Sequence, residues 1–255
     1  MIIREAYMGI TIFIVKLLFS QKPLESILDV SKKKILVIVP HPDDEILGLG
    51  GIILQMLRLG GKVHLVYLTD GESCGSWPDR EEIKNRRTAL SVEVCDRLGL
   101  LETDVSRLHL PDGSLTLIGQ KGFTETAQRV AQIIEILQPD EVFATHTRDY
   151  MNHDHLACAQ IAYEAIRQSV AKPQLWYYWV WAWYNLWPWQ LIRLNHSKIF
   201  RITIKGQLAQ KSKLIGLYFN PLTPKGIPWS GQMRKPLWKA MRQPFEVIEK
   251  IDVKY

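Results

Sequence analysis

Residues 34–51 read KILVIVPHPDDEILGLGG, an apolar run that ends in one histidine and three consecutive acids. Acids crowded at the mouth of a buried strand need a partner, because desolvated carboxylates are costly unless paired or ligating. A phosphate cradle is one candidate, since GLGG follows a strand and opens a helix. The spacing is not GxGxxG, however, and acids directly before it would repel a pyrophosphate. A cation answers the acids better. His41 and Asp44 lie three residues apart across a strand-to-helix turn, so an imidazole nitrogen and a carboxylate oxygen can converge on one ion. A third ligand is then needed, and RDYMNHDHLA, residues 148–157, offers His153 and His155. Two histidines and one carboxylate with an open position form a usual set for catalytic zinc. Such an ion raises the acidity of a water in the open position. The plain alternative for the acids alone is a helix N-terminus, where orphan N–H groups and the dipole favour them.

The elements that must position these residues follow from hydrophobic period. Lys34 to Pro40 predicts a fully buried strand, and ILGLGGIILQMLRLG a helix ending at Gly60 and Gly61. KVHLVYLTDG is a second strand and turn, and Arg80 to Leu98 a charged helix stopped by Gly99. SRLHLPDG is a short strand and turn, TETAQRVAQIIEILQP a helix closed by Pro139, EVFATH a strand, and HDHLACAQIAYEAIRQ a helix. This alternation predicts an α/β fold: a Rossmann-like, doubly wound, mostly parallel sheet with helices on both faces. Ligands in such sheets bind beyond the carboxyl ends of the strands, where both His-containing elements fall. Beyond about residue 172 the pattern changes to the aromatic tract LWYYWVWAWYNLWPWQ, then IFRITI as a strand, GQLAQKSKLIGLYF as a helix and a proline-containing tail. The expected organisation is a leader helix within residues 1–30 and one domain over 31–255.

PHPDDEILGLGG resembles the signature of LmbE/PIG-L deacetylases, zinc enzymes that remove the acetyl group from N-acetylglucosamine carried on a larger conjugate. The similarity runs from about Lys34 to Ile166, with weaker echoes at Lys211 and in PFE near Phe245. It implies His41, Asp44 and His155 as ligands of one zinc per chain, and Asp43 as the base that takes a proton from the attacking water. Aligning on His155 places Asn152 where some relatives carry a histidine that helps at the oxyanion, and His153 at a proline position. The resemblance therefore leaves His153 as a candidate acid or oxyanion donor and Asn152 as a candidate substrate contact. Arg87 and Asp112 are further candidates for substrate binding, although an arginine on a helix often only pairs at the surface, and Asp112 sits in a turn-forming PDG. A second class is a non-catalytic carbohydrate or nucleotide-sugar binding protein on the same fold, against which the intact Asp43 argues.

The 255 residues carry a formal charge of +6 that is unevenly spread, at +9 from His196 onward and −3 before it. No nucleic-acid motif accompanies the basic end, so it fits a solvated face, an anionic substrate or an anionic membrane surface. Cys74, Cys95 and Cys158 have no CxxC spacing, which suits a reducing, cytoplasmic setting. The apolar run from Tyr7 to Phe19 is broken by Lys16 and falls short of the roughly 18–20 residues that span a bilayer. It reads as an amphipathic helix, packed on the domain or lying on a membrane as a peripheral contact. Most rings of the aromatic tract are expected in the core or an interface, the others stacking on a sugar or meeting a membrane interface. His64, His109 and His196 are read as structural, and His146, at a strand end, as a residue standing behind the ligands.

Overall fold

A computed structural model describes residues 2–28, 33–74, 77–149 and 152–255, and for 2–6 the backbone only. In chain order the elements are α1 (Ile2–Leu18), β1 (Ser20–Lys22), β2 (Lys34–Val39), α2 (Asp44–Arg58), β3 (Lys62–Thr69), α3 (Arg80–Leu98), β4 (Val105–Leu110), α4 (Phe123–Leu137) and β5 (Glu141–Thr145). There follow α5 (His153–Gln168), β6 (Gln174–Tyr178), α6 (Ala182–Asn185), α7 (Pro188–Ile192), β7 (Ile199–Thr203), α8 (Leu208–Phe219), α9 (Lys235–Met241) and β8 (Phe245–Ile251).

All eight strands join one sheet in the order β1-β7-β8-β6-β5-β2-β3-β4. The pairings are parallel except where β8 lies antiparallel between β6 and β7. Strand β2 shows why the sheet is covered twice. Its Ile35, Val37 and Val39 enter one core while Leu36 and Ile38 enter the other, as the two-residue period of a strand requires. Helices α2 and α8 contribute to the first core, α4 and α5 to the second.

The chain winds outward from β2 through β3 to β4, then returns to β5 on the other side of β2. That reversal opens a crevice at the carboxyl ends of β2 and β5, where loops cannot cross and a ligand can enter. Helix α2 leaves this point pressed against the sheet. A Cβ on Gly48 would come within 2.3 Å of the Tyr178 ring, and one on Gly51 within 2.5 Å of Ile204. The glycines of GLGG therefore serve close packing of the site's helix.

The helix expected within residues 1–30 packs on the sheet: β1 pairs with β7 and α1 buries Met8, Ile12 and Val15 in the first core. Within the aromatic tract β6 stops at Tyr178, and the chain turns into the short helices α6 and α7. Trp176, Tyr178, Trp179 and Trp183 are buried in the first core, whereas Trp189 is exposed. Among the described residues, no helix is long and apolar enough to cross a membrane.

Candidate metal centre and active-site cleft

His41 follows β2 directly, and the turn from it into α2 bends sharply at Asp43, whose φ of 125° is a left-handed value rarely adopted by a residue with a side chain. Three contacts hold it there. The Asp43 N–H donates to Glu45 Oε2 at 3.0 Å. Arg87, from α3, donates to Pro42 O at 2.5 Å and to Asp43 Oδ2 at 3.0 Å, while its other terminal nitrogen donates to Gly71 O. Glu45 is itself fixed by the Tyr218 hydroxyl at 2.5 Å, and burial pushes its carboxyl up to about 6. The strain at Asp43 thus persists because its surroundings over-determine it.

Asp44 starts α2 and points one carboxylate oxygen at two imidazoles. His41 Nδ1 lies 3.1 Å and His155 Nε2 3.2 Å from Asp44 Oδ2. His155 is carried by the first turn of α5, beyond β5, so the two strand ends of the crevice supply the two histidines. Its other ring nitrogen, Nδ1, lies 3.1 Å from Asp149 Oδ2, and Asp149 also accepts from the Val180 and Ala182 amides. A carboxylate behind a histidine fixes ring and tautomer, an arrangement typical of ligating histidines. On the other side, His41 Nε2 faces Asp112 Oδ1 at 2.9 Å and Asp154 Oδ2 at 3.3 Å.

The residues present fit a metal ion. His155 Nε2 is buried without a properly oriented hydrogen-bond partner, although Asp44 is close. A buried imidazole nitrogen left in that condition is uncommon and calls for an explanation. His41, Asp44 and His155 each offer a ligand atom, with all three within 4.8 Å of one another. Two imidazole nitrogens and one carboxylate suit zinc in particular. Electrostatics agree. Burial would lower His155, but the charges of Asp44 and Asp149 outweigh it and raise the ring to about 9. Burial would likewise raise Asp44, yet the two imidazoles hold it well below the usual carboxylate range. The pocket is built to hold positive charge.

The sequence-derived candidates divide accordingly. His41, Asp43, Asp44, Asp112, Asn152 and His155 line one cleft of about 410 Å³. Arg87 also lines it, with its terminal nitrogens donating to Asp43 and to the Pro42 and Gly71 carbonyls, so it holds the turn between His41 and Asp44. His153 is exposed, and its Nε2 donates to Leu115 O at 2.7 Å. It does not line the cleft, so the geometry gives it no acid or oxyanion role. Asn152 caps α5 by accepting from the Asp154 amide. His64, His109 and His196 bond Ser106, Asp70 and the Leu191 carbonyl, away from the ligand set. His146 bonds Glu249 and accepts from the Arg148 amide, bracing the loop that carries Asp149. Sequence reasoning missed Asp149 and Asp154. Both stand within RDYMNHDH, where an acid six residues before and another directly before His155 were the signal. Asp154 also accepts from the Gly113 and Leu115 amides, tying the Asp112 turn to the metal centre.

A family model described as PIG-L, GlcNAc-PI de-N-acetylase, matches residues 36–166. No curated protein matches the chain. Among solved structures it is similar to N,N'-diacetylchitobiose deacetylase from Pyrococcus horikoshii, at 20% identity and a TM-score of 0.59 over 81% of this chain and 73% of that one. It is similar to GalB, the 4-carboxy-2-hydroxymuconate hydratase of Pseudomonas putida KT2440, at 16% identity and a TM-score of 0.60, covering 88% and 98%. The zinc-inhibited form of teicoplanin deacetylase Orf2 aligns at 13% identity and a TM-score of 0.58, covering 85% and 97%. Identities this low speak for the fold alone, and a hydratase among them means that the fold does not select the reaction.

Proposed function

Because the chain belongs to the PIG-L family, whose model spans its ligand-bearing half, we propose that it is a zinc-dependent hydrolase removing the N-acetyl group from an N-acetylglucosamine-type conjugate. The observation that carries this reading is the convergence of one ligand atom each from buried His41, Asp44 and His155 beside a separately held Asp43. A zinc ion held by His41, Asp44 and His155 would supply Lewis acidity, making water acidic near neutral pH and taking up charge on the amide oxygen.

The chain's own residues do the rest. Asp43 lines the cleft but is spared from ligation by Arg87, which takes its Oδ2 and leaves a carboxylate oxygen for the water proton. Burial pushes the Asp43 carboxyl up, with Asp44 and Glu45 adding to it and Arg87 opposing, which strengthens it as a proton acceptor. As that proton leaves, the water oxygen would bond to the amide carbonyl carbon; the same Asp43 oxygen then delivers the proton to the leaving amine nitrogen, so the C–N bond breaks to free amine and acetate without a covalent enzyme intermediate. Asp112 and Asn152 stand on the cleft wall as partners for sugar hydroxyls. Val180, Trp181, Phe219, Met233 and Leu237, which line the same cleft, give apolar surface for the rest of the conjugate.

The test is zinc stoichiometry by elemental mass spectrometry on wild type and His155→Ala, then acetate release from a panel of N-acetylglucosamine conjugates. About one zinc per chain, lost in the variant, with acetate released by the wild type alone, supports the reading. Sugar binding with no acetate released under any metal would instead make the chain a binding protein on this fold.

A further inference from the structure

Helix α1 is apolar on two faces. Its inner face, Met8, Ile12 and Val15, is buried in the first core. Its outer face carries Ile10, Phe13 and Leu17, which are 51, 65 and 71% exposed. Helix α7 packs on α1 and continues this surface. Tyr7 meets the Trp187 ring at 4.7 Å, Trp187 stacks on Trp189 at 4.9 Å, and Trp189 and Ile192 are both more than half exposed. Six large apolar side chains thus form one outward patch, far from the scatter of single residues normal on a surface.

The charge around the patch is of one sign. Residues 165–245 contain thirteen Lys or Arg and no Asp or Glu, and residues 7–24 contain no acid either. These stretches supply α6, α7, α9 and α1 from Tyr7 onward, with Arg4 and Glu5 lying before them in α1. Exposed Lys16 and Arg193 sit beside Leu17 and Ile192 in sequence, and Lys239 of α9 comes within 3.3 Å of the place a Cβ on Gly9 would occupy. The acids of β8 and the residue after it are already engaged: Glu246 is buried against Lys211, Glu249 bonds His146, and Asp252 pairs with Lys198. Among the described side chains of these stretches a protein partner would find no carboxylate to pair with its cations. An apolar stripe carrying tryptophans and edged by cations alone is the complement of a phospholipid surface, apolar inside and anionic at its headgroups.

We infer that the outer face of α1 and the Trp187–Ile192 segment form a docking surface for an anionic phospholipid bilayer, entered by Phe13, Leu17 and Trp189 and steered by Lys16, Arg193 and Lys239. Docking does not depend on the hydrolase reading, although α9, on which α1 packs, also gives Leu237 and Met241 to the cleft.

The test is co-sedimentation of the full chain with phosphatidylcholine vesicles, with and without phosphatidylglycerol, alongside Phe13→Glu, Trp189→Glu and Arg193→Glu. The expected result is binding to the phosphatidylglycerol vesicles, weakened by salt, and about tenfold or greater loss of partitioning in Phe13→Glu and Trp189→Glu. Arg193→Glu should reduce the preference for anionic lipid. All three positions are exposed, so unchanged melting temperatures would establish that the fold is kept. Equal partitioning of wild type and the Phe13 and Trp189 variants, or no binding to either vesicle, overturns the proposal. So does a wild-type dimer in sedimentation velocity that Phe13→Glu dissociates, which would make the patch an interface between copies.

Discussion

Arg87 occupies one oxygen of Asp43, and in the proposed mechanism that division would separate proton transfer from metal binding within two adjacent acids. Asp43→Asn is expected to retain about one zinc while acetate release falls by roughly 10²–10⁴-fold, read by elemental analysis and an acetate assay. Equal metal loss in Asp43→Asn and Asp44→Asn would place both among the ligands. Asp149→Asn removes the charge behind His155 Nδ1 and should weaken zinc binding by about 10–100-fold in a chelator competition. Proton competition sets the pH dependence. With its metal-free ring raised to about 9, His155 carries a proton at neutrality, and a cation must displace it. Zinc affinity should therefore rise with pH up to about 9, roughly tenfold per unit for each proton released, measurable by calorimetry in buffers of different ionisation enthalpy. The meeting of His41, Asp44 and His155 was legible because their spacing is local to HPDD and NHDH. The bond between Arg87 and Asp43 was not, since it joins residues 44 positions apart through a strained turn that no period announces.

Helix α2 positions the centre only because three glycines let it lie close. Gly48→Ala would drive a methyl group into the Tyr178 ring, and overpacking of this kind costs about 1–3 kcal/mol, visible as a lower midpoint in a denaturant titration. Glu246 adds a second constraint: it accepts from the Gly51 and Ile52 amides and pairs with buried Lys211, which in turn donates to Leu47 O. Elements with a clean period were readable, and the helices over residues 80–98 and 153–168 fall where Gly99 and the 3.6-residue pattern predict them. The aromatic tract was not, because rings on every position satisfy a strand and a helix equally. Tertiary packing decides between them: β8 runs alongside β6 as far as Tyr178, and the chain turns away beyond it.

At the scale of the molecule, the apolar stretch near the start belongs to the core. Met8, Ile12, Val15 and Phe19 are fully buried, and removing them forfeits roughly 6–12 kcal/mol of burial, comparable to the whole stability of a typical protein. Deleting residues 2–22 should therefore abolish a cooperative thermal transition, which is why substitutions on the outer face are the sound probe of membrane docking. Sheet class and crevice followed from the β-α alternation, but the place of β8 did not, since strand order is a long-range property. That order has a consequence for how the protein is made. Strand β8 leaves the ribosome after every other strand, yet it lies between β7 and β6. Until it emerges, the β1–β7 pair has no seat on the sheet, and α2 lacks the carboxylate that fastens Gly51 and Ile52. The growing chain thus holds an open sheet edge, a risk for mispairing with other chains, and the helix that carries Asp44 gains its final support only with the last strand of the sheet.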